Sequence, residues 1–357
     1  MTDVRVLVGP GVIADPTLLS EIAEREFAAL GVTGALVHDE LRSLDAGGAV
    51  VALPGPAPAS RALMAREPCV WLDLDLAGEC DLAQGAAHIH GRGVEGLAWA
   101  IRHAVHRTRH PARRIPYGAH RDQWGELYLP EREGPVPVVV LLHGGYWRSM
   151  WAADLMDALA ADLAARGFAV WNLEYRRADR HGWAATTEDV AAGLDALHHL
   201  DIAAPDLAAP DLNRVAVAGH SAGAQLGLRA AADGARVRLA VSLAGVLDLV
   251  EAGRRWMSAG AVPAALTGTG ECGHSLPGVY GEASPLLRLP LKVRQLIVQG
   301  SGDELDFVDF ARRYARAATQ HGDDVTYLEM SGDHFAVIDP ATPIWRTTAL
   351  ALTDALR

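Results

Sequence analysis

Arg214-Val215-Ala216-Val217-Ala218-Gly219-His220-Ser221-Ala222-Gly223-Ala224-Gln225-Leu226-Gly227-Leu228-Arg229-Ala230-Ala231 is the stretch on which the reading of this chain turns. Its opening residues form a short apolar run of strand type, and the residues after Gly223 have helical character. A Gly-x-Ser-x-Gly between strand and helix predicts a turn so tight that only small residues fit beside the serine. Such a turn lifts the hydroxyl above the sheet edge and sets the positive end of the helix beneath it. In a chain this rich in Gly and Ala the pentapeptide alone says little; its flanks carry the expectation.

Working outward, a serine used as a nucleophile needs a base, an acid that orients the base, and donors for an oxyanion. Upstream, the buried-looking run Val138–Leu142 ends in His143-Gly144-Gly145-Tyr146-Trp147. Two glycines after such a strand let backbone N–H groups turn inward with no Cβ in the way. Gly144 and Gly145 are therefore the candidate oxyanion donors, joined by Ala222, the residue after the serine. His143 is read as bracing that loop. Downstream, Leu296-Ile297-Val298-Gln299-Gly300-Ser301-Gly302-Asp303-Glu304 is an apolar strand that delivers a carboxylate at its C-terminal end, where open α/β sheets place their sites. Asp303 lies nearest the strand end; Glu304, Asp306 and Asp309 compete for its role. His334, in Gly332-Asp333-His334-Phe335, follows the last strand and completes the order Ser, Asp, His. His321 is its rival but precedes that strand.

The whole chain alternates strand-like and helix-like segments over 357 residues, which predicts an α/β protein of two domains. In the first half, Val4–Leu7, Gly34–Val37, Ala49–Leu53 and Val70–Leu74 read as strands. Pro16–Leu30 reads as a helix, with Asp15 as its N-cap and Pro16 at its first position. Pro58–Ala65 and a segment from about Val94 to Thr108 read as further helices. The basic, proline-punctuated stretch His106–Tyr117 reads as a linker, with a domain boundary near residue 112. Beyond it, strands are expected from Trp124, at Pro137–Leu142, Ala169–Leu173, Val215–Ala218, Leu239–Ser242, Gln295–Gln299 and Asp324–Glu329. Helices are expected at Trp151–Arg166 and Thr187–Leu200, and Gly253–Ser284 reads as a cap or lid.

A formal charge of −12 argues against nucleic acid and anionic membranes as partners, since both call for a positive field. The three cysteines, Cys69, Cys80 and Cys272, form neither a disulfide framework nor a metal-ligand pattern. His88-Ile89-His90 and His198-His199 lack a third and fourth ligand at suitable spacing. No cofactor or metal is expected. With no signal-peptide pattern at Met1–Arg5 and no apolar run of about 20 residues, a cytoplasmic protein acting on a small molecule is expected.

The motifs HGGYW (143–147), GHSAG (219–223) and DHF (333–335) resemble the α/β-hydrolase family. The likeness is to its branch of bacterial arylformamidases (kynurenine formamidases) and close carboxylesterases. Tyr117-Gly118, Trp171–Arg176 and Gly182-Trp183 are similar to segments of the same branch, so the resemblance covers about residues 115–357. It implies a triad of Ser221, Asp303 and His334, with Tyr146 and Trp147 shaping a pocket for an acyl or aromatic group. It also implies cleavage of an aryl formamide such as N-formyl-kynurenine. Alternatives are a short-chain carboxylesterase and a non-catalytic binding or scaffold module. The first domain, residues 1–112, reads as a small flavodoxin-like α/β domain. It resembles a type II 3-dehydroquinate dehydratase through Gly9-Pro10, Leu53-Pro54-Gly55-Pro56 and Ile89-His90-Gly91-Arg92. Its Gly11–Asp15 loop lacks that family's tyrosine and arginine, and Leu53 replaces an asparagine. This implies a degenerate domain kept for homo-oligomerisation, or one with a ligand of its own.

Overall fold

A computed structural model describes residues 3–38, 41, 44, 48–75, 80–199, 208–268 and 278–357. The chain divides into two compact units, Met1–Pro111 and Ala112–Arg357.

In the first unit five parallel strands, β1 (Asp3–Val8), β2 (Thr33–His38), β3 (Ala49–Leu53), β4 (Val70–Asp73) and β5 (Ala87–His90), lie in the order β2-β1-β3-β4-β5. This is the flavodoxin-like order. The helix Pro16–Leu30 starts where its capping residues place it, for Asp15 accepts the N–H of Leu18 at 2.8 Å. It packs with the helix Gly96–Arg109 over one face of the sheet, burying Val4, Val6, Val51, Leu72 and Ile89.

The second unit holds eight strands: β6 (Arg113–Pro116), β7 (Trp124–Tyr128), β8 (Gly134–Leu142), β9 (Ala169–Leu173), β10 (Ala208–His220), β11 (Leu239–Leu243), β12 (Arg294–Gly300) and β13 (Val325–Met330). Their order is β13-β12-β11-β10-β8-β9-β7-β6. The strands from β9 through β13 and β8 pair in parallel, while β6 and β7 pair antiparallel. Val138–Leu142, Ala169–Leu173 and Leu239–Leu243 are buried along their whole lengths. A parallel sheet covered on both faces asks for such unbroken apolar runs.

Three expectations change. Arg113–Pro116, read as linker, is the edge strand β6, paired with β7 through Arg113↔Leu127 to Pro116↔Trp124. Its charges suit an edge, where they discourage pairing with other chains. The helix expected from Thr187 begins earlier, at Ala178, and kinks at Gly182. The lid-like stretch is helical at Leu249–Arg254, Met257–Thr267 and Gly278–Ala283, while 269–277 lie outside the described residues. Met257, Val262, Ala265, Tyr280 and Ala283 from these helices join the unit's core.

Candidate active site

Ser221 sits between β10 and the helix Ala222–Ala232 with φ 53° and ψ −115°. L-residues seldom adopt a positive φ, and a strained turn of this kind is held only by its surroundings. Here the hold is steric and hydrogen-bonded. A Cβ on Gly219 would lie 2.1 Å from the carbonyl oxygen of Gly223, and one on Gly223 would lie 2.2 Å from that of Leu142. The N–H of Ser221 donates to Leu243 at 2.9 Å, and its carbonyl accepts from Ala224 at 3.1 Å.

At the end of β12, Asp303 is held from three sides. Its Oδ1 accepts the N–H of Glu304 at 2.7 Å, and its Oδ2 accepts from Gln299 Nε2 at 2.9 Å. The same Oδ2 accepts from His334 Nδ1 at 2.8 Å. The Asp303 carboxylate is almost wholly buried, whereas the His334 ring keeps 21% of its side chain exposed. An imidazole so anchored at Nδ1 directs Nε2 away from the carboxylate, the orientation a general base requires. Of the rival acids, Asp306 and Asp309 are taken by Arg255 at 2.6 and 2.8 Å.

His220, the variable residue before Ser221, has a role that sequence reasoning did not assign. Burial, reinforced by the neighbouring His334, holds its ring well below the ordinary imidazole value, so it stays neutral near pH 7. Its Nε2 donates to the backbone carbonyl of His334 at 2.9 Å. The residue beside Ser221 thus ties the elbow to the histidine loop.

The glycines after β8 approach the elbow closely: a Cβ on Gly144 would lie 2.9 Å from both the His220 carbonyl oxygen and Ser221 Cβ. Gly145 has φ +113°, with the Trp151 ring where its Cβ would stand. His143 braces this loop from behind. Its Nδ1 meets the carbonyl of Gly144 at 2.8 Å, its Nε2 meets Glu174 Oε1 at 3.1 Å, and its ring stacks on Tyr175. Tyr175 in turn donates its hydroxyl to the carbonyl of His143 at 2.7 Å. Glu174 also accepts the N–H of Ala153 and pairs with the buried Arg177. Burial alone would raise its carboxyl, but Arg177 and His143 outweigh that and hold it well below the ordinary value.

Tyr146 and Trp147 both have left-handed backbones, φ 51° and 58°. They differ in what they offer a ligand. Tyr146 is half-buried, with its ring 6.4 Å from Phe307, whose own ring lies 4.4 Å from His334. Trp147 is only 2% exposed and donates its indole N–H to Gln225 at 3.0 Å. The expected pocket role of Trp147 is thereby corrected: its ring belongs to the core beneath Tyr146, with Trp183 against it. Phe335, 41% exposed, stands beside His334 and His220.

His120, Asp122 and His181 bring potential metal ligands within 4.8 Å of one another, a grouping that the distance of His181 in sequence from the other two conceals. Arg177 occupies Asp122 Oδ2 at 3.0 Å, which sets a fixed positive charge where a cation would need the carboxylate.

The BD-FAE family model matches residues 126–251. Over 161 residues the chain is 34% identical to a Fusarium protein named hydrolase LUC6, covering 40% of this chain and 35% of that protein. Over 133 residues it is 33% identical to esterase LipC of Mycobacterium tuberculosis, covering 36% of this chain and 30% of that one. The chain therefore spans about a third of the length of the curated relatives it matches. Among solved structures, esterase B from Lactobacillus rhamnosis superposes with TM-score 0.58 at 19% identity, over 68% of this chain and 83% of that one. A bacterial heroin esterase does so with TM-score 0.54 at 23% identity, over 69% and 84%. None of the described helices is long and apolar enough to cross a membrane. Strand order, elbow and structural likeness converge, and residues 112–357 have the α/β-hydrolase fold.

Proposed function

We propose that the chain is a serine hydrolase that cleaves a small acyl group from an ester or an aryl formamide. The observation that carries this reading is the His334–Asp303 contact of 2.8 Å set beside a serine in a strained elbow. Ser221 Oγ attacks the carbonyl carbon while His334 Nε2 takes its proton. Asp303 keeps His334 in the tautomer that can accept that proton and stabilises the imidazolium that forms. The backbone N–H groups of Gly144, Gly145 and Ala222 receive the oxyanion, each donor of this kind contributing about 3 kcal/mol to the transition state. His334 then returns the proton to the leaving alcohol or amine, and water attacking through the same base releases the acid from the serine.

The names of the sequence relatives, hydrolase and esterase, support the ester as the substrate class. A second reading, an aryl formamide, draws on Tyr146, Phe307 and Phe335 around His334, which offer flat apolar faces to an aromatic amine while a formyl group demands little room. Incubation with a fluorophosphonate probe should label Ser221 in the wild type and leave Ser221→Ala unlabelled. Folded wild type that resists the probe would sink the hydrolase reading. Parallel assays of a short p-nitrophenyl ester and N-formyl-kynurenine separate the two substrates, and an inert formamide beside a cleaved ester removes the second.

A further inference from the structure

The first unit brings a cysteine, a histidine and an aspartate together on one face of its sheet. We propose that Cys80 is an activated thiol, served by His88 and Asp73, that exchanges with small-molecule disulfides.

The arrangement grows from the pairing of two strands. β4 and β5 lie in register with Trp71 opposite His88 and Asp73 opposite His90. Because side chains alternate along a strand, Asp73 and His88 emerge on the same face of the sheet, opposite the one that buries Leu72 and Ile89. On that face Nε2 of His88 lies 3.5 Å from Asp73 Oδ2, and Nδ1 lies 3.5 Å from the sulfur of Cys80. Carboxylate, imidazole and thiol therefore stand together, the sulfur nearer to Nδ1 than to Nε2, from which it lies 4.0 Å. The carboxylate is fixed in turn: Arg61 grips it with both terminal nitrogens at 2.8 and 2.9 Å, and the N–H of Asp75 donates to it at 3.0 Å. Asp73 and His88 are both almost wholly buried, whereas Cys80 remains partly exposed. The nucleophilic atom is thus the accessible member of the three.

This order of groups is what thiol activation asks for. Asp73 favours the tautomer with the proton on Nε2, which leaves Nδ1 free to accept the thiol proton, and the thiolate–imidazolium pair is then stabilised by the carboxylate behind it. Among the described residues, the charged and titratable groups beside the pair include Arg61 from the helix Pro58–Arg61, Asp73 at the end of β4, Asp75 after it, and His90 from β5, whose ring lies 4.8 Å from that of His88. Exchange with a disulfide needs a thiolate, a proton store and access, which the proposal assigns to Cys80, to His88 and to the partial exposure of Cys80. The thiolate sulfur attacks one sulfur of the disulfide, a new S–S bond forms as the old one breaks, and the departing thiolate takes the proton from His88. No net oxidant beyond the disulfide is required. Cys69 supplies an internal contrast: it is buried, and desolvation pushes its thiol up to about 12.

The test uses the intact chain. Iodoacetamide alkylation at pH 5.5 to 9.5, read by peptide mass spectrometry, should modify Cys80 at least ten-fold faster than Cys69 at pH 7. Its rate should rise with a midpoint clearly below the value near 8.5 of an ordinary thiol. Oxidised glutathione should form a mixed disulfide at Cys80. In His88→Gln the midpoint should return to about 8.5 or above and the rate at pH 7 should fall about ten-fold. Circular dichroism of that variant guards against misfolding, and the wild-type profile stands as a test without it. A wild-type midpoint at or above 8.5, an unchanged profile in folded His88→Gln, or no mixed disulfide at Cys80 would each overturn the proposal.

Discussion

The carboxylate of Glu174 receives four neighbours at once, His143, Arg177 and the N–H groups of Ala153 and Tyr175, in a setting with almost no water. It acts on the proposed chemistry at one remove, by fixing the imidazole that fixes the Gly144 carbonyl. Glu174→Gln keeps the shape but removes the charge, leaving Arg177 paired with Asp122. Breaking a buried pair in this way typically costs about 3–5 kcal/mol, to be read from chemical denaturation at pH 7. Because the proposed oxyanion donors would act in the transition state, kcat should fall with KM little changed. The pH dependence has a defined sign. The folded-state carboxyl is held at about 2 against an ordinary 4.5, so its stabilisation is complete above 4.5 and is lost as pH falls through 2. The stability gap between wild type and Glu174→Gln should therefore narrow steadily from pH 5 downward. A gap that stays constant to pH 2.5 would show that charge is not what Glu174 contributes.

At the scale of elements, the elbow is a junction of three backbones: β10, the helix after it, and the end of β8. A Cβ on Gly223 would stand 2.2 Å from the Leu142 oxygen and 2.4 Å from that of His143, both backbone atoms with no side-chain freedom to yield. Gly223→Ala must push the elbow away from the end of β8. Overpacking of this kind costs about 1–3 kcal/mol, and the displaced donors should lower activity at least ten-fold. Gly227→Ala, one turn further along the same helix, meets Val217 Cγ2 at 3.2 Å, a side-chain atom that can shift. There the gain of about 1 kcal/mol from replacing a helical glycine offsets the crowding, and stability should change little. Equal effects of the two substitutions would refute the steric account. The same junction explains what was legible in the sequence. Ser221, Gly144, Gly145 and Ala222 lie in contiguous motifs whose proposed chemistry is local, and Asp303 and His334 follow β12 and β13, strands that periodicity reveals. Glu174, Gln299 and His220 act through partners 31, 4 and 114 positions away, and only folding identifies the pair. Strand β6 was hidden by its composition, since an edge strand of two arginines and a proline has the chemistry of a linker until β7 lies beside it.

Over the whole molecule the dominant long-range quantity is the net charge of −12. Close to the candidate site the acidic groups are partly matched, for Arg255 bridges Asp306 and Asp309. The far field has no such compensation, because charge beyond the contact pairs sums over the surface. An anionic substrate should therefore meet a repulsive approach at low salt. The Debye length falls from about 30 Å at 0.01 M to about 8 Å at 0.15 M, which takes the reach of that repulsion from molecular dimensions to a few residues. Between these ionic strengths kcat/KM for a short ester bearing a carboxylate should rise several-fold, while that of a neutral ester of the same acyl group should hold steady. The neutral ester isolates the steering effect from any action of salt on the proposed triad, whose Asp303–His334 pair is largely shielded from solvent on the carboxylate side. A fall in kcat/KM for the anionic ester would mean that a local positive field at the mouth, rather than the charge of the whole chain, governs approach to Ser221.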